Sequence, residues 1–454
     1  MRTLTEPPWD DWKLASGPSA DRQSLAYCVN KRADSLGSAR LVDTERVIAT
    51  GHQAWLWHPG ILAKDLAMAN ASGRLKACRL HVVIDQDVHN TLMLQVPHQK
   101  GQKLSIQTIQ LAEHDTNVPT GAQPPVDTRE VIQSLGAINH DGINRLAEAF
   151  TDLPSCPTLA EQIALVLMRL IRPFAGNLPI CTVSDFVKLP AYGKLLDELR
   201  LDAEACVKAY NNAVQQYPSV RIAPLHTQAN RVEVPLWAVE WLQLRRRVFV
   251  DLKSSSPKFV GSDGQPIDQS KGKLLPRALL QSAFLRSACC DLFIHGTGGA
   301  AYDPVTEAWW KKWRGTPLAP WTVVSADIQL DFNAPIVCRD ELAQAIWYRH
   351  HLPHNIDRLL PLDGQAAQQK QNLLSQMNLN RDPIRRAQVY AKIRQINEEL
   401  AASYPDALAE SQSRVQHAAI GFANSRIAQR REWCFTLYRP DQIHRLRELL
   451  TGLG

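Results

Sequence analysis

A chain of 454 residues, 45% apolar and 21% charged, has the composition of a folded globular protein, which excludes a disordered or low-complexity one. Single cores stop growing at about 250–300 residues, so a large core with at least one subsidiary domain is expected. A formal net charge of +6 over this length admits an anionic substrate without calling for nucleic acid, and nine scattered cysteines without a Cys-x-x-Cys pair suggest neither a disulfide framework nor a zinc ribbon.

In chain order, residues 1–45 mix Pro, Asp, Ser and Arg around one short helical pattern and are expected to form an arm packed on the core. No signal-peptide core opens the chain, and no later run approaches the roughly 18 apolar residues of a membrane span. The expected location is therefore the cytoplasm, with no membrane partner. The informative stretch is Arg46 to Asn90. An apolar run, Val47-Ile48-Ala49-Thr50, leads into Gly51-His52-Gln53, then Trp57-His58-Pro59-Gly60, and on into an amphipathic helix from Ile61. A second apolar run, Leu80 to Ile84, ends in Asp85-Gln86-Asp87-Val88-His89-Asn90. Strand, glycine-bearing loop, helix and strand make a parallel βαβ unit, in which ligands sit at the carboxyl ends of the strands. His52, His58, Asp85, Asp87 and His89 all fall at that edge.

Alternating apolar positions from Leu92 to Leu111 suggest a strand pair followed by a loop over the site, and residues 128–217 are largely helical by period. Between those helices, Leu178 to Phe186 reads as a buried strand whose Ser184 and Asp185 either cap a helix or belong to the site. Glu233–Val239 and Arg245–Val250 read as two strands. Arg245 to Arg247 are either a solvated edge or, on one side, Arg245 and Arg247, an anion contact. Lys253 to Lys273 is a long polar loop, expected to move, that brings Lys271 and Lys273 to an apolar helix beginning near Leu274 with Arg277 at its entrance. Asp291 to Asp303 is a second strand-to-loop edge, with Gly296-Thr297-Gly298-Gly299 and Tyr302 in the loop. Asp303 is read there as N-cap and Pro304 as the first helical residue.

From about Glu341 to Arg431 the chain is nearly all helix formers, broken at Tyr404-Pro405, which predicts an antiparallel helical hairpin, a coiled coil suited to dimer contact. Residues 432–454 read as a strand and helix returning to the core. The fold class is thus α/β. A parallel-sheet core over 46–340 carries helical and loop insertions, an arm over 1–45 precedes it, and a hairpin over 341–431 follows.

The order of Thr50-Gly51-His52-Gln53, Asp85-Gln86-Asp87-Val88-His89, Leu275-Pro276-Arg277, Gly296-Thr297-Gly298-Gly299, a late helical hairpin and a closing Phe435–Leu450 segment resembles the BshC family of bacillithiol synthases. Gly-His-Gln stands here for that family's Gly-Gln-Gln, Asp-Gln-Asp for Glu-Asp-His-Asp, and Gly-Thr-Gly-Gly for Gly-Gly-Pro-Gly. The resemblance implies a Rossmann-like core, a homodimer through the helical region, and a ligase joining cysteine to a carboxylate- or amino-sugar-type acceptor. Trp57-His58-Pro59-Gly60 is also similar in placement to the His-x-Gly-His signature of class I aminoacyl-tRNA synthetase and nucleotidyltransferase cores. That likeness implies that His58 contacts phosphate and that Lys271 or Lys273 stabilises a leaving group.

The leading expectation is a ligase-like enzyme with ATP, ADP or a similar anion at the strand edge. His52, Asp85 and Asp87 are the candidate acid–base or ammonium-orienting groups. Gly51, Gln53, His58, Gly60, His89, Asn90, Gly296, Thr297, Gly298, Gly299, Tyr302 and Asp303 are the ligand-binding candidates, and Arg245, Arg247, Lys271, Lys273 and Arg277 the anion contacts. The alternatives are a non-catalytic dimeric scaffold and a metal-dependent enzyme. No metal site is assigned, because the one His-x-x-x-His pair, His350 with His354, lies in another segment. Nucleic acid is not an expected partner, since no docking motif accompanies the arginine runs.

Overall fold

The computed structural model describes residues 1–16, 21–43, 45–253, 256–360 and 364–451. The chain opens with β1 (Arg2–Glu6) and α1 (Arg22–Leu36), followed by β2 (Arg46–Gln53), α2 (Pro59–Leu75) and β3 (Ala77–Ile84). A hairpin of β4 (Met93–Lys100) and β5 (Lys103–Gln110) leads to α3 (Thr128–Gly136), α4 (Asp141–Phe150) and α5 (Leu159–Ala175). The short strand β6 (Ile180–Thr182) precedes α6 (Pro190–Leu201) and α7 (Ala203–Gln216). There follow β7 (Thr227–Gln228), β8 (Arg231–Glu240), β9 (Arg246–Asp251), β10 (Lys258–Val260) and β11 (Gly272–Pro276). Then come α8 (Ala278–Phe284), β12 (Leu292–His295), α9 (Thr297–Arg314) and β13 (Trp321–Asp327). The later helices are α10 (Arg339–His351), α11 (Ile356–Leu359), α12 (Gln365–Leu379), α13 (Pro383–Ser403), α14 (Pro405–Ala428) and α15 (Pro440–Leu449).

Two compact units result, one of residues 1–96, 108–328 and 431–454, the other of residues 97–107 and 329–430. Among the described residues of the first unit, six strands form the main sheet in the order β1-β13-β12-β2-β3-β6. All neighbours are parallel except β1, which runs antiparallel to β13 from Arg2 opposite Asp327 to Glu6 opposite Val323. From β2 the chain steps outward through β3 to β6, then crosses back to lay β12 on the other side of β2 and β13 beyond it. The strand order therefore reverses between β2 and β12, and at such a reversal the loops leaving the two strands diverge and open a crevice.

The sequence explains why β2 takes the centre. Val47, Ile48 and Ala49 are all fully buried, which a strand covered on both faces requires and an alternating strand would not allow. Helix α2 starts where Pro59 supplies a preset φ at the first helical position, behind His58, whose Nδ1 accepts from the Gly60 N–H at 3.1 Å. It is apolar nearly all round, with Leu62, Leu66 and Met68 at 0% exposure, so it is a core helix and not a surface one. Each such side chain contributes roughly 1.5–3 kcal/mol by leaving water.

A second, antiparallel sheet orders its strands β10-β9-β8-β11, with β7 beside β8. It corrects two readings. The segment expected as a mobile lysine loop carries β10 and β11, and β11 pairs with β8 from Gly272 opposite Glu240 to Pro276 opposite Leu236, so Lys273 sits on a strand. Residues 254 and 255 of that segment lie outside the described residues. The apolar helix expected from Leu274 begins only at Ala278, because Leu274 and Leu275 are needed in the ladder. The closing segment is corrected as well. Phe435–Leu437 is a single helical turn and not a strand, and the Phe435 N–H donates to the Trp57 carbonyl at 2.8 Å.

In the second unit α10 packs on α14 and α12 on α13. The helices flanking Tyr404-Pro405 thus find their main partners elsewhere, and the simple two-helix hairpin gives way to a four-helix arrangement. Asn424 ties it together, donating to the carbonyls of Gln102 at 2.7 Å and Pro335 at 3.0 Å. Among the described residues no helix is long and apolar enough to cross a membrane.

Candidate functional site at the strand-order reversal

A cleft of about 630 Å³ opens at the carboxyl ends of β2 and β12, where the strand order reverses. Gly51 to Gln53, His58, Gly60 and Lys64 form one wall, and His295 to Gly299 with Tyr302 form the other. Two helices present their N-termini to it. That of α2 is partly satisfied by His58, whereas α9 begins after Gly296, which has no side chain to cap the first N–H groups. Those free N–H groups and the helix dipole make the start of α9 the more open seat for an anion.

Lys64 is the charge at the centre. It is 3% exposed, and its Nζ donates to the Gly51 carbonyl at 2.6 Å, reaching from the second turn of α2 back to the end of β2. Burial lowers its pKa to about 8, opposed by Asp65, so it remains a cation at neutral pH. At the rim, Arg431 bonds the Ser325 hydroxyl at 3.0 Å and pairs with Asp327 at 3.0 Å. The first turn of α2 presses against this group. A Cβ on Gly60 would lie 2.8 Å from His58 Cε1, 2.9 Å from the Ala326 carbonyl and 3.0 Å from Arg431 Nη2, so glycine is needed for the close approach.

The histidines are neutral. Burial, with Lys64 next in effect, pushes His52 well below the ordinary imidazole value, and burial with Arg431 and Lys64 brings His58 to about 4. His295 is lowered by burial, partly offset by Asp303, whose carboxylate lies 3.4 Å away. A neutral imidazole accepts or donates a hydrogen bond but carries no charge, so an anion in the cleft meets Lys64, Arg431 and backbone dipoles. Behind His52 the Trp57 ring, its Nε1 donating to Gln53 at 3.0 Å, separates it from a buried pair, His81 and Asp65, 2.7 Å apart.

Of the residues expected at the site, Gly51, His52, Gln53, His58, Gly60, Gly296, Thr297, Gly298, Gly299 and Tyr302 line this cleft. The others are placed elsewhere. Ile84, the last residue of β3, faces the cleft, but Asp85, just past the strand end, faces a different cavity. Asp87 stands behind Gln53, accepting from its Nε2 at 3.0 Å and from Arg245 at 2.7 Å. Burial raises its pKa, but these bonds bring it below the usual carboxylate range. His89 approaches the Ala54 carbonyl at 3.3 Å and the Trp55 ring edge-on, and Asn90 bonds Gln110. Asp303 is no N-cap. Helix α9 already begins at Thr297, so Asp303 and Pro304 lie inside it, and Asp303 is fully buried against Arg286.

The proposed anion contacts separate in the same way. Arg245 and Arg277 lie over the Trp237 ring, at 4.4 and 4.1 Å from its centre; Arg277 also pairs with Glu233 at 2.7 Å, and Arg247 approaches Glu233 at 3.8 Å. Lys271 pairs with Asp268 at 3.7 Å, and Lys273 lines the other cavity. His350 and His354 lie in the second unit, and among the described residues no group of three or more His, Cys, Asp or Glu is placed to hold a metal ion. Lys64, His295, Ser325 and Arg431 escaped the reading of the sequence. Only Lys64 carried a local signal, a lone cation in the apolar run Ile61 to Met68.

The chain is a mixed α/β protein with a parallel-sheet core, and the cleft lies where the strand order of that sheet reverses. No family model and no curated protein matches it. Among solved structures, Plasmodium falciparum tryptophanyl-tRNA synthetase is similar over 85% of this chain and 82% of that chain, at 11% identity and a TM-score of 0.22.

Proposed function

We propose that this protein is a ligase-like enzyme that binds an adenine nucleotide, or an anion of similar chemistry, in the cleft between β2 and β12. One observation carries the reading. The uncapped start of α9, the start of α2 and the buried Lys64 ammonium converge where the strand order reverses. Phosphate oxygens would lie on the α9 N–H groups with Lys64 as counter-charge. His52, neutral at physiological pH, would serve as a base toward an incoming amine or thiol. Asp87 holds Gln53 in place, and Asp85 has no part in this cleft.

The order of motifs along the chain supports a narrower version, in which a BshC-like enzyme joins cysteine to a carboxylate- or amino-sugar-type acceptor. Calorimetry of ATP, ADP and free cysteine against the wild-type protein, Lys64→Met and His58→Ala tests it. Nucleotide binding that is lost in Lys64→Met, with the fold retained, is the expected result. Absence of binding by ATP and ADP to folded wild-type protein overturns the nucleotide reading, and cysteine that adds no heat in the presence of nucleotide overturns the narrower one. A homodimer through the helices of the second unit belongs to the same proposal. It is supported by the exposed Ile346, Trp347, Ile384 and Tyr390, and sedimentation velocity measures it directly.

A further inference from the structure

A second cavity of the first unit, about 850 Å³, is lined by Asp85, one face of α1, the turn after β6, and Lys273 on β11. Most of its charges satisfy one another. Arg32 bonds Asp185 at 2.7 Å and also pairs with Glu161, while Lys188 bonds the other Asp185 oxygen at 2.7 Å. Asp85, Lys31 and Lys273 are left over. Asp85 is 3% exposed and receives the Ser184 N–H at 3.0 Å. It is also walled in, since a Cβ on Gly121 would lie 2.6 Å from its Oδ2. Among the described residues neither Lys31 nor Lys273 has an ion-pair partner within bonding distance, although the field of Lys273 reaches Asp85.

We propose that this cavity binds a small polyhydroxylated anion, of the sugar-phosphate or sugar-acid class. The volume is that of a site for an organic ligand and far exceeds a bare inorganic anion. Two lysines against one carboxylate leave a net positive charge, which selects a ligand of net negative charge. A buried carboxylate needs hydrogen-bond donors, and hydroxyl groups supply them without adding a cation. Ser24 and Thr158, on the lining, offer further hydroxyl partners, whereas Thr182 is held by Asp185 and Arg32 and the Ser184 side chain by Asp85. The anionic group lies between Lys31 and Lys273, and the ligand's hydroxyls donate to Asp85. The site shares no lining residue with the cleft and stands whether or not a nucleotide binds there.

Calorimetry of the full chain with glucose 6-phosphate, gluconate, glucose and inorganic phosphate decides it. Glucose 6-phosphate or gluconate binds at millimolar concentration or below and more tightly than glucose or phosphate. The double variant Lys31→Met/Lys273→Met weakens it at least about tenfold, Asp85→Asn weakens it severalfold, and Lys64→Met leaves it unchanged. Because Asp85 also receives the Ser184 N–H, the melting temperature of its variant is measured first, and the exposed lysine pair decides alone if that variant does not fold. The proposal is overturned if neither anion binds folded wild-type protein at millimolar concentration. It is equally overturned if the double lysine variant binds them unchanged, or if Lys64→Met abolishes the binding and so moves it to the cleft.

Discussion

The ammonium of Lys64 donates to the carbonyl of Gly51 across 2.6 Å, joining the second turn of α2 to the end of the central strand. A buried cation held by one carbonyl, with no carboxylate at bonding distance among the described residues, is costly to the fold. An apolar side chain of similar length avoids that cost. Lys64→Met is therefore expected to keep or raise the melting temperature while weakening anion binding about tenfold or more. Thermal melts and ATP calorimetry on the same preparation check both halves.

The same group sets a pH dependence. With His58 near 4 and His52 well below its usual value, Lys64, at about 8, is the cleft group that titrates just above neutrality. Anion affinity should fall as pH rises through about 8, and the fall should be absent in Lys64→Met. Stability moves the other way. Between about 8 and the ordinary 10.5 the unfolded chain holds a proton that the folded chain does not, so stability rises with pH across that window. Denaturant titrations at several pH values read the sign.

His58 governs the acid side. Its folded value of about 4 lies below the ordinary 6.5, so the unfolded state binds more protons between them and stability is lost as pH falls from about 6.5 to about 4. The loss attributable to this residue is on the order of 3 kcal/mol. His58→Asn keeps an N-cap acceptor and should flatten that part of the profile, measured by urea unfolding.

Two neighbouring glycines of α9 should behave oppositely. Nothing lies within 4 Å of a Cβ on Gly298, so Gly298→Ala gains about 0.5–1 kcal/mol of helix propensity. A Cβ on Gly299 would overlap Nδ1 of His295, a ring already confined by Phe293 and Trp321. The overlap costs about 1–3 kcal/mol and outweighs the propensity gain, so Gly299→Ala lowers the melting temperature and disturbs the cleft wall.

Arg277 tests the separation of stability from binding. It bonds the Leu236 carbonyl at 3.1 Å, pairs with Glu233 and stacks on Trp237, all within the second sheet. Arg277→Met leaves Glu233, 1% exposed, without its close partner and should cost about 3 kcal/mol with nucleotide affinity unchanged in the folded fraction.

The first βαβ unit and the strand-to-α9 edge were legible because their signals are local. Val47–Ile48–Ala49 buried in succession, Pro59 behind His58, and glycines after Ile294 all act within a few residues. Asp85 and Asp87 were not separable in the same way. Two aspartates two residues apart in an extended chain should share a side, yet the chain turns after Ile84, and Ser184 claims one while Gln53 and Arg245 claim the other. Likewise Lys273 looked like part of a loop because nothing nearby in sequence marks the pairing of β11 with β8, some 40 residues earlier. By itself the sequence determined β2, α2, β3 and β12, and that two glycine-bearing edges would exist, since hydrophobic period and turn chemistry are properties of short stretches; the first turns of α9, read as a loop up to Asp303, were not among them. Only the tertiary structure decided that the two edges meet at the strand-order reversal, that Lys64 and Arg431 reach the cleft, and that Asp85 faces a second cavity. Those facts depend on sheet order and on the burial of side chains by partners up to hundreds of residues away.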